Sequence, residues 1–104
     1  MSVISVYAVF ASAEEAERIG GQMVEERLAA CVNILPGVRS IYRWKGAVES
    51  ADEAAAIFKT TDRRADALIT RIAASHGYDV PCIVSSPIDK ILAPYADWVE
   101  DSTG

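Results

Sequence analysis

Two cysteines and one histidine are all that 104 residues contain of thiol and imidazole side chains, and lysine and arginine form no cluster that would make one face basic. Cys31 and Cys82 lie far apart and fit neither the CxxC spacing of redox motifs nor that of zinc sites, so in a reducing compartment both are expected as free thiols. The formal net charge of −5 repels a phosphate backbone, and with no basic face to offset it nucleic acid is not an expected partner. Long apolar runs are also missing. The stretch Ser2 to Phe10 is too short to span a bilayer, carries no basic leader and is not followed by a clear cleavage site. It reads as a strand, with no membrane association and the cytoplasm as the expected location. No internal repeat, linker or low-complexity stretch divides the chain, so one domain over residues 1–104 is expected.

What is present is globular in composition, with 51% hydrophobic and 24% charged residues, well away from disordered chains. Residues 3 to 10 are β-branched and aromatic and apolar on both alternating faces, which describes a central strand. Ser12 followed by Glu14 and Glu15 reads as an N-cap with acids in the first turn. The helix it opens should run from about 13 to 28, with Gly20 and Gly21 each weakening it by ~1 kcal/mol relative to alanine unless they allow close approach to the sheet. Cys31 to Lys45 reads as a second strand bent or bulged at Pro36-Gly37. It turns at Lys45-Gly46 and returns as a third strand through Val48 to Thr61, with an acidic patch at Glu49, Asp52 and Glu53. Asp62 is the expected N-cap of a second helix patterned by Ala65, Leu68, Ile69, Ile72 and Ala73 and ending at Gly77. Cys82 to Ser86 gives a fourth strand, and a short helix over about 94 to 101 carries Tyr95, Trp98 and Val99.

The order β-α-β-β-α-β plus a terminal helix predicts an α+β, ferredoxin-like βαββαβ sandwich. Right-handed crossovers favour a four-stranded antiparallel sheet in order 4-1-3-2 with both long helices on one face. That leaves the other face, with Val3, Tyr7 and Val9, to be covered. Fifteen residues from 31 to 45 at ~3.3 Å each reach roughly 50 Å, beyond the ~34 Å width of a domain this size. Either copies associate through the open face and the projecting hairpin, or the terminal helix folds over the face and the hairpin curls back. Cys31 and Cys82 fall on opposite edges of that sheet, about three spacings of ~4.8 Å apart, too far to bridge within one chain.

The segments Glu26-Arg27-Leu28-Ala29-Ala30-Cys31-Val32-Asn33-Ile34, Ser40-Ile41-Tyr42-Arg43-Trp44-Lys45-Gly46, Phe58-Lys59-Thr60, His76-Gly77-Tyr78-Asp79-Val80-Pro81 and Tyr95-Ala96-Asp97-Trp98 together resemble the CutA family of divalent-cation tolerance proteins. The resemblance covers nearly the whole chain. It implies a ferredoxin-like fold, a homotrimer with sheets inward and helices outward, a link to copper and other divalent ions, and no established catalytic activity. The family's His-Pro-Tyr-Glu-x-Pro-Glu-like run is altered here, with Asp79 and Cys82 where two longer carboxylates are usual.

For metal chemistry the candidate ligands are His76, Asp79 and Cys82, with Cys31 or Glu53 arriving from a neighbouring copy; imidazole and thiolate suit copper or zinc. The same residues also have structural readings: His76 as a helix-terminal cation, Asp79 as a turn residue and Cys82 as a buried thiol. A second reading is a trimeric module, like PII signalling proteins in fold only, that takes a small anionic ligand or a protein partner between subunits, with Trp44, Lys45, Lys59 and Tyr78 facing it. Tyr42 and Trp44 are otherwise expected at an interface. No Gly-rich phosphate loop is present. His76 and Cys82 lack an orienting partner or oxyanion motif, and the loop at 11–14 lacks the arginine of an acylphosphatase-like site, so an enzyme is not expected.

Overall fold

The structure, a computed structural model, describes residues 2–104. The chain runs β1 (Val3–Phe10), α1 (Ala13–Glu25), β2 (Cys31–Trp44), β3 (Ala47–Thr61), α2 (Asp62–Ser75), β4 (Ile83–Pro87) and α3 (Ala93–Thr103). The four strands form one sheet in the order β2-β3-β1-β4, antiparallel at every pairing. This is the expected order and an α+β, ferredoxin-like arrangement.

Alternation along β1 decides where the core lies. Val6, Ala8 and Phe10 are fully buried and meet Ile19 and Met23 of α1, Leu68 and Ile72 of α2, and Phe58 of β3. Gly20 has a steric use: a Cβ there would lie 3.0 Å from Val32 Cγ1, so the glycine lets α1 sit close on β2. Gly21 has open space around it. The opposite face is covered only at one end, where Val99 of α3 closes over Val3 and Ala30 with Ile88, Tyr95 and Ala96 alongside.

Several boundaries differ from the sequence expectation. Ser12 caps α1 through a bond from the Glu15 N–H, but the helix ends at Glu25 and not near 28, because Arg27 takes a left-handed φ of 61° that a helix cannot contain. Asp62 is the first residue of α2, and Thr61 is its N-cap without a side-chain cap bond. His76, in extended backbone, ends α2, so Gly77 is not a left-handed terminator. The fourth strand starts one residue later than Cys82.

The β2–β3 hairpin makes the molecule long, 45 × 26 × 22 Å. Leu35 pairs with Ala55 and Val38 with Glu53, so β2 holds one more residue than β3 across this step. This bulge falls at Pro36-Gly37, where Gly37 adopts φ 75°, a value that glycine tolerates without strain. Beyond it the hairpin runs out past the helices, leaving Ile41 73% exposed.

Candidate functional site

The uncovered half of the sheet forms the floor of a cleft of about 670 Å³. Tyr7 and Val9 of β1 supply the floor, the outer hairpin supplies one wall through Ser40, Tyr42 and Trp44, and residues 77–80 with Cys82 supply the other. Glu49, Glu53 and Asp79 also line it. Among the described residues lining the cleft, these carboxylates are the side chains charged at neutral pH.

The wall at 76–82 is held by bonds from three directions. His76 Nε2 lies 2.7 Å from the Val9 carbonyl; the oxygen can only accept, so Nε2 carries the proton. The Tyr78 N–H donates to His76 Nδ1 at 3.0 Å. One nitrogen donates and the other accepts, the pattern of a neutral imidazole, and the ring stacks on Phe10 at 4.8 Å. Glu15 of α1 accepts from the Ala11 and Gly77 N–H groups at 3.2 and 3.1 Å. A Cβ on residue 77 would stand 2.8 Å from Glu15 Oε2, so a larger residue there would make this carboxylate shift. Finally, the Tyr78 hydroxyl donates to Glu53 Oε2 at 2.7 Å, joining the loop to the hairpin. Burial, then this bond, then the charges of Glu53 and Glu15 push the Tyr78 hydroxyl up to about 12.

The four candidate ligands are not brought together. Asp79 and Cys82 line the cleft, and Cys82 is exposed, contrary to its reading as a buried thiol. Both His76 nitrogens are engaged, and its pattern is not that of a helix-terminal cation. Cys31 pairs with Lys59 on β3, and its Sγ lies 3.4 Å from the Tyr95 hydroxyl. Burial, with this contact second, pushes the Tyr95 hydroxyl up to about 12. Both cysteines are free. Among the described residues no three His, Cys, Asp or Glu side chains come close enough to hold one ion, so the donors of a single chain do not fit a closed metal centre.

The anionic-ligand expectation meets the wrong charge. Trp44 and Tyr78 do line the cleft, whereas Lys45 and Lys59 do not; Lys45 sits in the turn with its Nζ 6.0 Å from the centre of the Trp44 ring. The acidic patch read along β3 is split by alternation. Glu49 and Glu53 face the cleft, while Asp52 pairs with Arg39 on the other side at 2.9 Å. Glu15 was legible only as an acid of the first helical turn, and no local signal pointed to its bond with residue 77.

This fold and cleft define a class, the ferredoxin-like α+β domains whose sheet is left half open beside a long projecting hairpin. The family model described as CutA1 divalent ion tolerance protein matches residues 4–102, and the chain belongs to that family. The divalent-cation tolerance protein CutA of Thermus thermophilus is 47% identical, over 89% of this chain and 90% of its own length. Protein CutA 1, chloroplastic, of Oryza sativa is 40% identical over 96% of this chain, which spans only 56% of that longer relative. Among solved structures, CutA from Xylella fastidiosa superposes with a TM-score of 0.97 at 34% identity with both chains fully covered. CutA1 from Oryza sativa superposes at 0.96 and 38% identity, covering all of this chain and 95% of its own. No helix among the described residues is long and apolar enough to cross a membrane.

Proposed function

We propose that this chain acts, without catalysing a reaction, as a cytoplasmic homotrimer in the response to copper and other divalent ions. Its membership of the CutA1 family supports the tolerance role. The observation that carries the assembly is the half-covered sheet: Leu35, Tyr7 and Val84 are exposed on one face, next to a hairpin that projects beyond its own domain. Copies packed through this face remove apolar surface from water at about 25 cal/mol per Å².

A divalent ion bound by this protein would use donors from more than one copy. Asp79 and Cys82 are the candidates that line the open cleft; Cys31 and His76 are tied to other partners. The carboxylate lining also favours this reading over an anionic ligand with Lys45 and Lys59 as its contacts.

Native mass spectrometry of chelator-stripped protein, titrated with Cu(I), Cu(II) and Zn(II), tests both parts. The expected result is a trimer that takes up ions and loses that uptake in Cys82→Ser. A monomer would overturn the assembly, and uptake equal in the wild type and the variant would remove Cys82 from the site.

A further inference from the structure

The outer half of the β2–β3 hairpin has two faces that differ in the sign of their charge. Tyr42, Trp44, Glu49 and Glu53 stand on the face turned to the cleft. The other face is the side from which α1 and α2 pack on the sheet. It carries Arg39, Ile41 and Arg43 of β2, paired in register with Asp52, Ser50 and Val48 of β3. The hairpin has passed beyond the helices here, and Ile41 and Val48, diagonal neighbours across the two strands, are 73% and 65% exposed. A contiguous apolar pair flanked by guanidinium groups on a projecting element is the make-up of a contact surface.

Two charged groups on this hairpin are uncommitted. Arg39 is held by Asp52 at 2.9 Å and by Ser50 at 3.1 Å, and Glu53 accepts from the Tyr78 hydroxyl. Arg43 reaches only the Gly46 carbonyl, at 3.5 Å, long for a hydrogen bond, and makes no ion pair among the described residues. Glu49 has no side-chain ion pair there either. Arg43 pairs in register with Val48, so Glu49, the next residue of β3, points to the opposite face. The two stand back to back and do not meet within one chain.

We propose that the helix-side face of one copy's outer hairpin docks into the cleft of the next copy, with Arg43 pairing with Glu49 and with Ile41 and Val48 lying over the apolar floor at Tyr7 and Val9. This contact rests on the assembly proposed above and specifies how it is made. The cleft's own charged lining is entirely carboxylate, and covering such groups without a cation is costly; the neighbouring hairpin brings the missing cation together with apolar surface. Two clefts packed face to face would set acid against acid, and like charges across a boundary reject that arrangement. Because the two surfaces are different patches of one chain, the interface is heterologous. Each copy gives a hairpin to one neighbour and receives one from the other, and three such contacts close the ring of the proposed trimer.

The test follows dissociation on dilution by light scattering, beginning with the wild type. A wild type that is monomeric at every concentration overturns the assembly and this contact together. Where the wild type is a trimer, Arg43→Glu and Glu49→Arg are each expected to raise the concentration at which it dissociates by about tenfold or more. The two combined in one chain should recover most of that loss, because the exchanged charges meet again across the boundary. Arg18→Glu, an equal change of net charge on α1, should leave dissociation unchanged, and circular dichroism checks that each variant is folded. Unchanged dissociation in both single variants, losses that add in the combined variant, or an equal loss with Arg18→Glu overturns this contact and leaves the trimer standing.

Discussion

His76 holds the loop at 76–82 to β1, and its removal leaves both the Val9 carbonyl and the Tyr78 N–H without their partner. The first of these bonds is part-buried and the second exposed, and a typical intramolecular hydrogen bond contributes a net of about 0.5–1.5 kcal/mol. His76→Ala is therefore expected to lower stability by that order in urea unfolding, equally with chelator and with added Cu(II) or Zn(II). A loss seen only with metal would make the ring a ligand after all. The residue was legible as chemically special, being the one histidine, but its role was not. Its partner Val9 lies 67 positions away, and a single sequence carries no signal of which carbonyl a ring nitrogen will meet. The same holds for Glu53 and Tyr78, 25 residues apart. Their residue types could be read from the chain, and their bond required the sheet.

Elements were far more legible than their contacts, because period-two alternation and the helical repeat are local. Strand order followed once right-handed crossovers were applied. Ends were less legible, since α1 stops where Arg27 turns left-handed and α2 begins at Asp62 with Thr61 as a cap that makes no side-chain bond. The paired glycines of α1 show what the sequence could and could not say. Either could have marked close approach, and packing reserves that role for Gly20. Gly21→Ala, filling open space, is expected to stabilise by about 0.5–1 kcal/mol. Gly20→Ala gains the same propensity but presses on Val32, and overpacking of this kind costs about 1–3 kcal/mol. Thermal unfolding of the two variants should move in opposite directions; equal shifts would mean that Val32 moves aside freely. The far end of α3 is held in a similarly non-local way, with Arg27 donating to the Asp101 carbonyl and Arg64 to that of Thr103. Cations suit that end of a helix.

At the scale of the molecule, the 45 Å length agrees with the reach calculated for the hairpin, and α3 covers only one end of the second face. The arrangement in which the terminal helix closes the face and the hairpin curls back therefore does not hold, which leaves Val84, paired with Tyr7 and 55% exposed, available to a neighbouring copy. Val84→Lys is expected to shift the proposed trimer toward monomers in light scattering while leaving the circular dichroism of the fold intact. A retained trimer would place the contact elsewhere. The extra residue at Pro36-Gly37 also acts as a change of parity. Before it the odd-numbered side chains of β2, from Cys31 to Leu35, share a side with Ala55 of β3; after it the even-numbered ones, from Val38 to Trp44, share a side with Glu53. If β2 paired with no residue skipped, Arg39, Ile41 and Arg43 would take the places of Ser40, Tyr42 and Trp44, so that guanidinium groups would replace a hydroxyl and the indole, and an aliphatic side chain the phenol. How far the carboxylates of the cleft stand uncompensated is thus set by one extra residue at Pro36-Gly37, a pair that contributes no charge of its own.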